Sequence, residues 1–333
     1  MPVALITPED MIHNPGPEVE IFRKAGFEVH YPADTTFTRG LGTEADTIRT
    51  IRGAGALVAG GEWLTEKVFA ALPELRVVAR AGVGYDRVDV AAATRHGVPV
   101  TITPTANHAA VAEHTLALLF GVTRSIPLND RSMRAGQWIR RMLYPVRGKT
   151  IGLVGLGRIG RSTAVRCAAL GMKVIAYDVA PNASFVKEHG IEMVGFESLL
   201  QQSDFVSLHC PLSDETRGLM NAAAFAKMKP GSVFINTARG GLVVEADLLA
   251  ALESGHLAGA GLDVFEREPP DPKNPLFSMD QVVVTPHLGG ADSQSIADMG
   301  AEAARCAVSL YRGQWPDGAV VNDSLKNGWR WSR

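Results

Sequence analysis

The chain has 333 residues, of which 46% are hydrophobic and 20% charged, and a formal net charge of -2. At ~100–200 residues per domain this describes a globular protein of two domains and excludes a disordered or fibrous chain. The near-neutral charge gives no general electrostatic reason to expect nucleic acid or an anionic membrane as partner.

The start, MPVALITPED, lacks a basic segment followed by a long apolar core, so no signal peptide is expected. Short apolar runs at residues 3–7, 28–31, 56–59, 77–80 and 98–102 read as strands, with segments such as 17–25 and 88–96 as helices between them. Residues 109–125 carry a long helical pattern rich in Ala and Leu. The longest apolar run, 116–122, is far short of the ~20 residues that span a bilayer. A second strand series follows at 150–154, 173–177, 204–209, 232–236, 259–264 and 281–285. These runs are apolar on both faces, as strands of a parallel sheet covered by helices must be. Residues 293–312 close the series as a helix with apolar positions at Ile296, Met299, Ala303, Cys306, Ala307 and Leu310.

The alternation predicts an α/β chain of two doubly wound parallel-sheet domains. Residues 103–289 form the expected Rossmann nucleotide domain. Residues 1–102 with 290–333 form a flavodoxin-like substrate domain. Three cysteines, Cys167, Cys210 and Cys306, have no metal-ligand spacing and predict a reducing, cytoplasmic setting without a metal. The tail 327–333 holds two tryptophans and is expected to dock on a surface.

Gly155-Leu156-Gly157-Arg158-Ile159-Gly160 follows the strand 150–154 and opens the helical pattern 162–170. In that context GxGxxG is a dinucleotide loop. Gly155 permits the tight turn, Gly157 lets backbone approach the pyrophosphate, and Gly160 lets helix and strand pack closely. The N–H groups at the helix start, from Arg158 and Ile159 onward, favour the phosphates. Asp178 ends the next strand, 18 residues beyond Gly160. A carboxylate there accepts from the ribose hydroxyls and repels a 2′-phosphate, so NAD is expected over NADP.

Hydride transfer at a carbinol carbon needs a base for the hydroxyl proton, a cation for the substrate carboxylate, and a partner that sets the state of the base. His287 directly follows a predicted strand and is the candidate base. Glu268, after the strand ending near Val264, is its candidate partner, because a carboxylate favours the charged imidazole. Arg239, after the preceding strand, offers two parallel donors to a carboxylate. Each alone is compatible with an ordinary loop residue. Their occurrence at the same end of three successive strands points to a 2-hydroxy acid site. His30, His96 and His189 sit near turns or helix ends and receive no role. His209 reads as packing or adenosine contact.

These motifs, with Arg80-Ala81-Gly82-Val83-Gly84-Tyr85-Asp86, Leu208-His209-Cys210-Pro211-Leu212, Leu262-Asp263-Val264-Phe265 and residues 285–290, resemble the D-isomer-specific 2-hydroxyacid dehydrogenase family over nearly the whole chain. The resemblance implies Arg239, Glu268 and His287 as the catalytic triad. It implies that the backbone of Ala81, Gly82, Val83 and Gly84 binds the substrate carboxylate. It further implies that Asp263 contacts the nicotinamide carboxamide, that Cys210, Pro211 and Thr216 lie near the adenosine, and that Val83, His209, Thr237, Ala238 and Gly289 line the cofactor. Within the family, residues 125–141 are similar to 3-phosphoglycerate dehydrogenases without a regulatory domain, and Arg140 or Arg141 is placed to meet a substrate phosphate. A homodimer is expected from this resemblance and from the apolar helical stretch 109–138. Glyoxylate or hydroxypyruvate reduction, and a corepressor-like NAD sensor, are the alternatives.

Overall fold

The computed structural model describes residues 1–39 and 42–332. The chain forms two compact units, one of Met1–Asn107 with Ala291–Arg333 and one of His108–Gly290.

The first unit is built on β1 (Val3–Ile6), β2 (Glu28–His30), β3 (Ala56–Ala59), β4 (Val77–Arg80) and β5 (Val100–Thr101). All pairs are parallel and the order is β2-β1-β3-β4-β5, the flavodoxin-like winding expected. Side chains alternate across the strands, so each apolar run feeds two cores. Leu57 and Ala59 join Leu64, Val68, Phe69 and Val78 on one face, while Ala56 and Val58 join Ile6, Phe22 and Val77 on the other. The helix Ser293–Tyr311 covers this second face with Met299, Ala303, Ala307 and Leu310, and Asp292 caps it by accepting from Ser295 N at 2.7 Å. Each large side chain so buried contributes roughly 1.5–3 kcal/mol.

The tryptophans of the tail pack on this same core. Trp331 sets its ring edge-on to Phe27 and Tyr311, and Trp329 Nε1 donates to Gly97 O at 2.9 Å. The last residue of the tail, Arg333, lies outside the described residues.

The second unit holds β6 (Thr150–Val154), β7 (Lys173–Tyr177), β8 (Glu192–Met193), β9 (Phe205–Leu208), β10 (Ser232–Asn236), β11 (Leu257–Leu262) and β12 (Val282–Val284). Their order is β12-β11-β10-β9-β6-β7-β8, again parallel throughout. The winding reverses between β6 and β9, where open sheets bind ligands beyond the strand ends. β8 is two residues of edge strand with no buried position, too short and polar to show in an apolar pattern. The helix His108–Thr123 buries Val111 and packs Leu118 and Leu119 on its own sheet. The helix after the glycine loop spans Arg158–Ala169, four residues earlier than the apolar pattern marks, because the loop itself supplies the first turn. Among the described residues no helix is long and apolar enough to cross a membrane.

Candidate active site

The glycine loop runs from β6 into the helix Arg158–Ala169 with Gly157 at its start. Gly155 has φ +99°, and a Cβ there would lie 2.6 Å from Cys210 N. A Cβ on Gly160 would lie 2.2 Å from Gly155 O. The fold itself therefore demands these two glycines. Gly157 is different: a Cβ there would meet nothing within 4 Å. Its lack of a side chain leaves an open cradle at the start of the helix. The first intrahelical bond of this turn is Arg161 N to Gly157 O at 2.9 Å, and no side chain caps the N–H groups before it. Open space, free N–H groups and the positive end of the helix dipole fit a pyrophosphate.

Asp178 follows β7 and is tied to this loop. Its Oδ2 accepts from Leu156 N at 2.6 Å and its Oδ1 from Ala180 N at 2.7 Å. Each carboxylate oxygen keeps a second acceptor site, so the clamp orients the acid without consuming it. On the other side of the switch point, burial pushes the His209 imidazole from 6.5 down to about 4, and its Nε2 meets Ser207 Oγ at 3.1 Å. Burial, reinforced by Asp178, pushes the Cys210 thiol up to about 11, which makes it a wall rather than a nucleophile. Thr216 Oγ1 accepts from Ser213 N and donates to Pro211 O, both at 2.8 Å, and closes the loop after β9.

Arg239, Glu268 and His287 follow β10, β11 and β12, three neighbouring strands of the sheet. The turn carrying Arg239 is braced by Asn236, whose Nδ2 donates to Arg239 O at 2.9 Å while its Oδ1 accepts from Ala238 N at 3.0 Å. Arg239 Nη1 donates to Ala238 O at 2.7 Å, and Thr237 Oγ1 meets Thr115 Oγ1 at 2.9 Å. Glu268 Oε2 lies 2.9 Å from His287 Nδ1, and its Oε1 accepts from Phe265 N at 3.2 Å. A carboxylate only accepts, so with Glu268 ionised this contact places a proton on Nδ1. His287 has φ +56°, in the left-handed region that a non-glycine residue rarely occupies.

Asp263 ends the β11 segment and is buried. Burial would raise its pKa, but contacts to His114, Thr285 and the N–H groups of Leu288 and Gly289 more than offset that and hold it below the usual carboxylate range. Gly289 N thus donates to Asp263 Oδ2 at 2.8 Å. His114, Thr285 and Asn236 do not stand out in the sequence as site residues. His114 lies inside an apolar helical pattern, and Thr285 and Asn236 flank strands as ordinary polar residues.

The loop 81–84 belongs to the first unit. Ala81 N donates to Ala59 O at 3.0 Å and Gly82 N to Thr103 Oγ1 at 2.8 Å. These two donors are committed inside the protein. Arg80 Nε donates to Gly84 O at 3.0 Å and fixes that peptide.

Residues 116–289 match the profile of the family described as "D-isomer specific 2-hydroxyacid dehydrogenase, NAD binding domain". The chain belongs to the D-isomer specific 2-hydroxyacid dehydrogenase family. It is 45% identical to the D-3-phosphoglycerate dehydrogenase of Mycobacterium leprae over 277 residues, which are 81% of this chain and 52% of that one. It is 40% identical to the glyoxylate reductase of Korarchaeum cryptofilum over 78% of this chain and 80% of that one. The apo structure of D-lactate dehydrogenase from Escherichia coli superposes with a TM-score of 0.80 at 27% identity, covering 94% of this chain and 98% of that one. The chain spans about half the length of the curated 3-phosphoglycerate dehydrogenases it matches.

Proposed function

We propose that this protein is an NAD-dependent oxidoreductase that moves a hydride between the nicotinamide and a D-2-hydroxy acid or its 2-oxo counterpart. The observation that carries the reading is the 2.9 Å contact of His287 with Glu268, on adjacent strand ends beside that of Arg239. The bound nicotinamide supplies the hydride chemistry. In reduction His287 Nε2 gives a proton to the carbonyl oxygen, and in oxidation it takes one from the hydroxyl. Glu268 holds the imidazole in place through Nδ1. Arg239 holds the substrate carboxylate. Within the first unit, the backbone N–H groups of Val83 and Gly84 are the anion donors proposed for the loop 81–84. Asp178 accepts from the adenosine ribose and favours NAD over NADP. His209, Cys210, Pro211 and Thr216 form the adenosine side, and Thr237, Ala238 and Gly289 line the cofactor.

Two substrates have specific support. Similarity to 3-phosphoglycerate dehydrogenases favours a phosphorylated acid. Arg141 is committed to Asn129 Oδ1 and Ser132 Oγ at 2.8 and 3.4 Å, so the exposed Arg140 is the cation for a phosphate. The glyoxylate reductase, matched over 80% of its own length, favours a small unphosphorylated acid. NADH oxidation with 3-phosphohydroxypyruvate, glyoxylate and pyruvate, followed by absorbance, tests the reading and separates the two. No turnover with any of them refutes it.

The protein is proposed to act as a cytoplasmic homodimer. The helix His108–Thr123 is consumed by its own core, so it is not the spare apolar surface. That surface lies just beyond, where Ile126, Met133, Trp138, Ile139 and Met142 are exposed. Patches of this kind mark association sites. A monomer by sedimentation at micromolar concentration refutes the dimer.

A further inference from the structure

We infer that His114 is a positioning residue. Acting through Thr285 and Asp263, it holds the left-handed turn on which His287 stands. The inference rests on His287 being the proton-transfer group.

The turn 285–289 wraps around one buried carboxylate. Asp263 Oδ1 accepts from Thr285 Oγ1 at 2.6 Å and from Leu288 N at 2.8 Å, and Oδ2 accepts from Gly289 N at 2.8 Å. The backbone carbonyl of Asp263 accepts from His287 N at 2.8 Å. One aspartate thus receives the N–H groups of three consecutive residues, His287, Leu288 and Gly289, beginning at the strained position, where His287 has φ +56°. A left-handed non-glycine residue persists only where its surroundings over-determine it.

His114 completes the network from the helix His108–Thr123. Its Nε2 lies 2.8 Å from Thr285 Oγ1 and 3.3 Å from Asp263 Oδ1. The Thr285 hydroxyl has a single hydrogen, and its shortest contact, 2.6 Å, is to the Asp263 carboxylate. Thr285 Oγ1 therefore donates to Asp263 and accepts from His114. His114 must carry its proton on Nε2, whether the ring is neutral or charged. Without that donor, Thr285 Oγ1 loses the second of its two partners, and Asp263 Oδ1 loses a side-chain N–H that lies 3.3 Å away. The Asp263 carboxylate then swings to satisfy the remaining donors, and the turn bearing His287 follows. The three acceptor positions filled by Thr285, Leu288 and Gly289 also show where most of the capacity of Asp263 goes, which is into this turn.

The test uses the full chain with Thr285→Val, which keeps the shape of the side chain and removes the hydroxyl, together with His114→Ala and His114→Gln. Gln can still reach Thr285 Oγ1 with an N–H. The first readout is hydrogen exchange of peptides covering residues 285–290 in the protein without cofactor. The second is kcat/KM for 2-oxo acid reduction. Exchange at these amides should speed up about 10-fold or more in Thr285→Val and His114→Ala and stay within about 3-fold of wild type in His114→Gln. Misplacement of a reacting group by ~1 Å costs on the order of 100-fold, so kcat/KM should fall by roughly 10- to 100-fold in the first two variants and recover in the third. Unchanged exchange in both Thr285→Val and His114→Ala overturns the inference, whatever the activity does. Faster exchange with unaltered kcat/KM, in an enzyme that His287→Ala inactivates, also overturns it. Faster exchange in a protein that His287→Ala leaves fully active keeps the turn network and removes instead the reading of His287 as proton donor.

Discussion

His209 gives the second unit a built-in acid sensitivity. Its imidazole follows β9, meets Ser207 Oγ, and is pushed by burial from 6.5 down to about 4. The folded protein therefore keeps it neutral at pH 6, where the unfolded chain takes up a proton. The sign follows from that difference: the unfolded state binds more protons between the two values, so stability is whole above 6.5 and is lost as pH falls toward 4. Below about 4 the folded state is protonated too and the slope ends. A shift of this size corresponds to about 3 kcal/mol, at ~1.4 kcal/mol per pH unit. His209→Gln removes the titration and keeps an amide that reaches Ser207. Urea unfolding followed by circular dichroism, from pH 7 to pH 4, should show wild type losing up to ~3 kcal/mol more than the variant over this window. Parallel pH profiles for the two proteins would refute a neutral buried imidazole at this position.

The glycine loop separates fold from ligand. Gly160→Ala should cripple folding of the second unit, because its Cβ falls on Gly155 O, whereas Gly157→Ala should leave the thermal stability of the protein without cofactor within about 1 °C and weaken NADH binding at least 10-fold by calorimetry. Asp178→Ala should bring kcat/KM for NADP closer to that for NAD, and equal use of both cofactors by wild type would count against Asp178 as the discriminator. His287→Ala should cost roughly 10²–10⁴-fold in rate, and Arg239→Ala should raise KM and lower kcat together. Glu268→Gln removes the carboxylate that meets His287 Nδ1, so kcat/KM for 2-oxo acid reduction should fall, and an unaltered kcat/KM would exclude the pairing with His287.

Much of this architecture is written locally. Parallel strands buried on both faces are continuous apolar runs, so eleven of the twelve strands stand out by composition, β1 through β7 and β9 through β12, while β8 is hidden by being a polar edge. The glycine loop is legible because its spacing follows a strand and opens a helix, and Gly160 answers to Gly155 O within that unit, while the neighbour that demands Gly155, Cys210 N, comes from the end of β9. Arg239, Glu268 and His287 fall at strand ends, and a strand end is marked by where the apolar run stops. What the sequence could not show is which backbone donors are already spent. Gly82 looks like part of an anion nest until Thr103, 21 residues on, takes its N–H.

The same reason hides His114. Its partners lie 171 and 149 residues away, and its position inside an apolar helix reads as packing. Nothing near His287 announces a left-handed backbone either, since glycine is the residue that normally reports one. The strain is held instead by a carboxylate from the neighbouring strand, and the carboxylate is held by a helix that enters the unit first. A proton-transfer group, the role proposed for His287, needs fixed placement more than it needs favourable local conformation. Parallel winding meets that need by bringing β11 beside β12, so that Asp263 reaches under the turn that follows. The conformational cost at His287 is therefore met by long-range hydrogen bonds, and weakening any one of them should show first as mobility of the turn rather than as unfolding of the sheet.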